Sequence, residues 1–392
     1  MVKPDAVDGL TLAGVRDVAQ QRRVACVRAG TAAMPPPTGE AAAWLRRYLA
    51  SLDLLVERGG GVLASADDDG EAAEARAPFE TEWTSPLSGR AARFIALRGA
   101  SKEQAMALVL YGALLRQLGH QELDDLLQKQ PAEEASAEPA KTSEGGASAS
   151  APAGPLADAA HNLRRAAGVF RRLADRTLPA IFLSLGTRDR PLEITPPAAE
   201  ALSSVCLAEA QQLAAFRAEG RNSPPSLRAS LHLGARDLFS RASKALREGQ
   251  ANAAATTSSG GGGAPEHAQP GDRLLRFLAL ARALASARAL RAAAADYASK
   301  FEAGCAERCC DEAARELAGA KGAAEADPTW RALVAEEAAL LEREAAPIRK
   351  DRLFVTVQAV PRDLPALPEA RVIVAELPFN EPFVAGGVVD AS

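Results

Sequence analysis

Aromatic side chains supply only 4% of this sequence, and cysteine occurs 5 times and histidine 4 times in 392 residues. The shortage of aromatic residues argues against a β-rich core, which needs them on its pleated faces. Alanine fills much of the 47% hydrophobic fraction instead. It has the best helix propensity and a small side chain, so closely packed helices are expected. Five scattered cysteines (Cys26, Cys206, Cys305, Cys309 and Cys310) are too few for a disulfide framework in a chain this long, which predicts reduced thiols and a cytoplasmic setting. No run of about 18 apolar residues occurs, so no membrane-spanning helix is expected. The opening MVKPDAVDGLTL lacks the basic start and apolar stretch of a secretion signal, and the closing VVDAS offers no cysteine for prenylation.

Charge of one sign is missing too. Lys+Arg total 46 against 50 for Asp+Glu, a formal net charge of −4, so no field over the whole protein would attract a polyanion, and nucleic acid is not an expected partner. Catalytic patterns are equally scarce. None of His120, His161, His232 and His267 stands in a metalloprotease or deaminase spacing; His267 falls in a segment read as flexible, the others on helix surfaces. The glycine runs at Gly59 and Gly260 lack the Lys-Ser/Thr of a phosphate loop, and no GxSxG elbow occurs. Cys305, Cys309 and Cys310 form a CxxxCC group, in which Cys305 and Cys309 share a helix face and offer two corners of a metal site. No second cluster supplies the other corners. No catalytic residue, cofactor or metal is therefore predicted, and a scaffold is the expectation, with a metalloprotein built on CxxxCC as an outlying alternative.

What is present is a series of helix boundaries. Ser101-Lys-Glu-Gln104 reads as a capping box before MALVLYGALLRQL. Thr195-Pro196, Ser223-Pro224 and Asp327-Pro328 each set a capping oxygen before a proline suited to a first helical turn. The spacing predicts helices over Glu40–Arg58, Ser101–Gln128, Leu156–Leu183, Pro196–Glu219, Pro224–Glu248, Asp272–Ala303, Ala306–Ala324 and Pro328–Ala345, with a weaker one over Leu12–Ala29. Three stretches without hydrophobic periodicity (59–76, 131–155 and 249–271) read as flexible insertions. After Pro347, LFVTVQAV alternates and ARVIVAEL is β-branched, which predicts extended chain or short strands. AAGVF ending at Phe170, GARDLF at Phe239 and AAADY at Tyr297 each place small residues one turn before an aromatic. That likeness suggests a tetratricopeptide-like core of paired helices, the small residues admitting a neighbouring helix.

Three segments in order carry a resemblance: HNLRRAAGVFRRLAD (His161 to Asp175), LSSVCLAEAQQLAAFRAEG (Leu202 to Gly220) and KDRLFVTVQAVPRDLPALPEARVIVAELPF (Lys350 to Phe379). Together they resemble the BRO-domain family of ALIX-like endosomal adaptors, and ETEWTSPLSG and LVLYGALLRQL look most like its compact plant-type members. The resemblance implies a single boomerang-shaped helical domain over 1–380, followed by a short tail at 381–392. It implies a non-enzymatic adaptor, peripheral at endosomal membranes, that binds the C-terminal amphipathic helix of an ESCRT-III subunit in multivesicular-body sorting. Carried over by position, the family's hydrophobic patch falls on Leu227, Leu231 and Ala214. Leu227 and Leu231 are four apart near a helix start and so share one face. ALIX-like members carry an aromatic residue at the position of Ala214 and a tyrosine at that of Thr356, and the larger members' central and proline-rich regions are not expected here. A helical-repeat scaffold for an unrelated peptide is the alternative. Arg164, Arg165, Arg171 and Arg172, with Arg176, make one helix basic, a face suited to acidic membrane or an acidic partner helix, or simply to solvent.

Overall fold

The computed structural model describes residues 38–63, 80–88, 90–134, 155–181, 190–257 and 269–379. Eight long helices make up most of these: α1 Thr38–Leu63, α2 Ala100–Glu134, α3 Pro155–Arg172, α4 Pro196–Gly220, α5 Pro225–Thr257, α6 Asp272–Ser299, α7 Ala303–Ala324 and α8 Pro328–Asp351. Each packs on the next in sequence, from α1 on α2 to α7 on α8, as in an array of helical hairpins. The fold is mainly α, as the alanine content implies. The helix expected over Leu12–Ala29 and the tail at 381–392 lie outside the described residues.

Two large apolar cores follow the chain. The first gathers α1 to α5 and one side of α6 around Leu45, Leu49, Phe170, Leu173 and Phe239, and the second joins the rest of α6 to α7 and α8 around Leu284, Leu290, Leu317 and Leu341. Many contacts in both are alanines, so helices approach closely and the few aromatics fill what remains.

Several helix limits differ from the sequence reading. α1 continues to Leu63, α2 to Glu134 and α5 to Thr257, so the stretches at 59–76, 131–155 and 249–271 each begin as helix, and Pro155 already opens α3. An existing helix propagates without a new nucleus, so α5 carries on through its alanines and α1 and α2 continue even through Gly59, Gly60 and Gly61 and through Pro131. Ser101 is not the cap of α2. The helix starts a residue earlier, behind Gly99, whose φ of +101° is open to glycine. The helix expected to reach Ala303 is broken at Phe301 (φ 61°), and α7 begins at Ala303 rather than Ala306. α8 runs through Pro347 to Asp351 and passes into a π-helical turn at Arg352–Thr356. LFVT is therefore helical, not extended.

Extended chain near the end forms no strand. The two-stranded antiparallel sheet among the described residues is instead β1 (Glu80–Ser85) with β2 (Arg90–Arg98), pairing Trp83 with Ile95 and bulged between Thr84 and Ser85. Its buried face is hooked to the helices through two buried carboxylates. Glu103 accepts from Tyr48 Oη (2.7 Å) and from Trp83 Nε1. Glu193 accepts from Ser85 Oγ (2.6 Å) and the Leu87 amide (2.8 Å).

From Val357, held in the left-handed region at φ 47°, an extended arm runs back over the array to Phe379. Arg308 on α7 donates to the Arg362 carbonyl (3.2 Å), and Tyr297 on α6 donates to that of Ala366 (2.6 Å). The Arg371 amide donates to Ser230 O on α5 (2.9 Å), and the Leu377 amide donates to Arg164 O on α3 (3.1 Å). Phe379 ends against Tyr111 of α2, ring centroids 5.9 Å apart. The alanines of the repeated motifs (Ala166, Ala167, Ala235, Ala293 and Ala294) are buried in the helical cores, whereas two of their glycines face this arm. A Cβ at Gly168 would collide with the Leu377 carbonyl, and one at Gly234 would lie 2.5 Å from the Arg371 carbonyl oxygen. Those glycines admit the backbone of the arm, not a neighbouring helix.

Candidate functional site

α4 ends in a tight turn. Asn222 takes a left-handed conformation (φ 51°), its amide and that of Ser223 donate back to Glu219 and Ala218, and Pro225 then opens α5. The reversal lays the first turns of α5 beside the last turns of α4. On α4, Ala210, Leu213, Ala214 and Arg217 recur at helical spacing on one face, with Arg221 just past its end. Leu227 and Leu231 come from α5, Leu156, His161 and Arg164 from α3, and Arg371, Ile373 and Val374 from the arm. Together they line an open cleft of about 760 Å³.

The three positions carried over from the resemblance thus meet in one place. Leu231 is 3% exposed and packs with Ala215 and Ala218, with half-buried Leu227 above it. Ala214 is half-buried on the α4 wall of the same cleft.

Gln211 fastens the cleft and was not singled out from sequence. Fully buried, its amide nitrogen donates to Leu231 O (3.1 Å) and Arg371 O (2.8 Å), and its oxygen accepts from the Ile373 amide (3.0 Å). One side chain therefore ties α4, α5 and the arm. Two residues earlier in the same LAEAQ run, buried Glu209 takes two hydrogen bonds from Arg116 on α2 (2.5 and 2.8 Å), with His120 3.3 Å away. Burial alone would raise the Glu209 carboxyl, but Arg116 and His120 outweigh it and hold it at about 2. The polar letters of that run serve structure.

Behind the cleft, His232 is not on a helix surface as expected but fully buried, its Nε2 3.0 Å from Glu219 Oε1. Burial lowers its pKa, and the Glu219 contact only partly compensates. Arg291 lies 3.7 Å from the same Glu219 carboxylate.

The basic residues of α3 have intramolecular partners. Arg164 donates to the Ala375 carbonyl (2.7 Å) and also lines the cleft. Arg165 donates to Asn162 Oδ1 and Tyr111 Oη (both 3.3 Å). Arg171 pairs with Asp175 (2.8 Å), and Arg172 donates to the Phe379 carbonyl (3.4 Å) while its guanidinium lies 5.3 Å from that ring's centroid. In the CxxxCC group, Cys309 and Cys310 are buried, and burial pushes both thiols up to about 12. Among the described residues no group of three or more His, Cys, Asp or Glu side chains is placed to hold a metal ion, and no helix is long and apolar enough to cross a membrane.

The family model of the BRO1-like domain matches residues 42–388. Among solved structures, ALIX in complex with the SIVmac239 PYKEVTEDL late domain is similar with a TM-score of 0.61 and 17% identity, over 97% of this chain and 46% of that one. The ALIX BRO1–CHMP4C complex gives 0.59 and 18%, over 94% and 85%. A structure of the Bro1 domain, described as the basis for endosomal targeting, gives 0.50 and 12%, over 94% and 83%. The chain thus spans 46% of the length of the first of these, and at such identities the likeness is one of fold. No curated protein sequence matches the chain.

Proposed function

The chain belongs to the BRO1-like domain family, and on that footing we propose that it is a non-enzymatic adaptor, a single domain over residues 1–380, whose cleft receives the C-terminal amphipathic helix of an ESCRT-III subunit in endosomal sorting. In this reading it is cytoplasmic and peripheral at endosomal membranes, and works without cofactor, metal or nucleic acid. One observation carries it: Ala214, Leu227 and Leu231 line a single cleft in a fold that resembles a BRO1 domain solved with CHMP4C. The recognition is a helix laid in a groove, with apolar anchors at helical spacing entering beside Leu227. Leu231 forms the floor and sets the depth.

The test is a titration of the protein against a panel of ESCRT-III C-terminal helices. Leu227→Asp is the informative variant, because Leu227 is half-exposed whereas a charge at buried Leu231 would unfold its surroundings. Loss of binding of about tenfold or more, with helicity unchanged, supports the assignment. Unchanged affinity in a folded Leu227→Asp removes the site, and failure of every tail to bind removes the function. A helical-repeat scaffold for an unrelated peptide is the second reading. Alanine at position 214 favours it, since interface energy concentrates in a few large side chains, and co-purification of a helical partner outside ESCRT-III would select it.

A further inference from the structure

Some arginines of this protein pair with glutamates: Arg116 with Glu209, Arg288 with Glu337, Arg291 with Glu344, Arg352 with Glu307. The cleft gathers four that do not. Arg164, Arg217, Arg221 and Arg371 all line it, and among the described residues none of the four lies within 4.0 Å of a carboxylate oxygen. Arg164 spends one N–H on a backbone carbonyl, which leaves its charge uncompensated. The one carboxylate of the lining is Asp158. In a chain of net charge −4, four unpaired guanidiniums therefore surround an apolar floor of Leu213, Leu227, Leu231 and Val374. Low-dielectric walls with charge mostly of one sign focus a positive potential into the space between them.

We infer that the cleft reads charge as well as shape, its arginine rim selecting an amphipathic helix whose apolar stripe is flanked by acidic residues. This rests on the cleft being the helix-docking site proposed above. From Ala210 to Arg221 the α4 wall extends about 16 Å at 1.5 Å per residue, which matches about three turns of a bound helix. Arg217 and Arg221, both exposed and one turn apart, meet carboxylates spaced three or four residues apart on the ligand's flank. Arg371 enters from the arm on another side, so both flanks of the ligand are read. A flat anionic bilayer meets the same charges poorly, because the apolar floor they surround lies at the bottom of a concave site, where Leu231 is 3% exposed.

The experiment uses the full chain and three synthetic helical peptides that share one leucine stripe and carry Glu, Gln or Lys on its flanks, read by fluorescence anisotropy beside the CHMP4C C-terminal helix. The Glu peptide is expected to bind about tenfold tighter than the Gln peptide, and the Lys peptide more weakly than either, the gain being a sum of several exposed pairs. The gain shrinks as salt is raised. In the double variant Arg217→Gln, Arg221→Gln most of it disappears, while the circular dichroism spectrum stays as it was. Equal affinities for the three peptides, or a Glu preference untouched by the double variant, overturns the charge reading alone. Failure of the CHMP4C helix and all three peptides to bind overturns the docking site with it. If the double variant instead loses binding to phosphatidylserine vesicles and keeps its peptide affinities, the rim belongs to a membrane and the inference falls.

Discussion

Gly168, Gly304 and Gly234 are the positions where the smallest change has the largest steric effect, since carbonyls of the arm lie where their side chains would be. Gly168→Ala is expected to push the Leu377 segment off α3 and cost about 1–3 kcal/mol, the range for overpacking a close contact. Gly319→Ala, mid-helix on α7 with nothing within 4 Å, should instead stabilise by about 0.5–1 kcal/mol. Urea titrations of the two variants check both signs. Glu209 gives a pH prediction. Its folded carboxyl is held at about 2, below the ordinary 4.5, by Arg116 and His120 against the effect of burial. The stabilisation is therefore complete above about pH 4.5 and lost as pH falls from there towards 2. Glu209→Gln should flatten that part of the acid limb in denaturant titrations run at a series of pH values. At this scale the sequence revealed types better than roles. The LAEAQ run stood out, yet nothing in it shows that Glu209 meets an arginine 93 residues earlier or that Gln211 clasps a backbone 160 residues later.

Helix ends were legible where the cap is local and obscure where it is not. At Asp327-Pro328 the carboxylate accepts from the Thr329 and Trp330 amides at 3.0 and 3.4 Å, and Asp327→Ala should cost about 1 kcal/mol. Calorimetry measures that directly. Thr195-Pro196 also marks a helix start, although the Thr195 hydroxyl turns back to the Leu192 carbonyl. At Ser101 the same pattern misleads, because the helix already runs from Ala100 and the side chain of Gln104, which would close the capping box, donates instead to Asp53 on α1. The β-hairpin went unread for a similar reason. Thr81, Trp83 and Ser85 alternate inward and Ile95 faces Trp83, but only the partner strand and Glu193 make that short alternation a strand. Arg352 to Thr356 shows the opposite case, a β-branched texture overruled by the helix feeding into it, whose turn is held by Arg352 on Glu307.

For the whole molecule, the arm touches both cores, as α5 and α6 do from within the helical array. Its later residues Val374 and Phe379 pack on the first, and Leu367 packs on the second. Removing residues 357–379 is expected to split thermal unfolding into two transitions, with the α6–α8 part separating from the rest, whereas the intact chain unfolds more cooperatively. Differential scanning calorimetry of the two forms distinguishes these outcomes, and a single unchanged transition would deny the arm that role. Gly168 and Gly234 were visible in the repeated motifs from the start, but their purpose was not, because a groove for an extended segment and a groove for a helix call for the same residues.

The arm also joins the candidate cleft to the order in which the protein is made. Arg164 contacts a carbonyl 211 residues further along the chain, and Ile373 and Val374, which form one wall, follow the last helix. A chain still on the ribosome can assemble α3, α4 and α5, with Leu227 and Leu231 already in place, and yet have no finished cleft. Contacts this distant in sequence form late, after the segments between them have condensed. A product released early by a premature stop therefore keeps most of its helices but offers partners only a half-built site. Binding competence at this cleft doubles as a report that translation has run past residue 374.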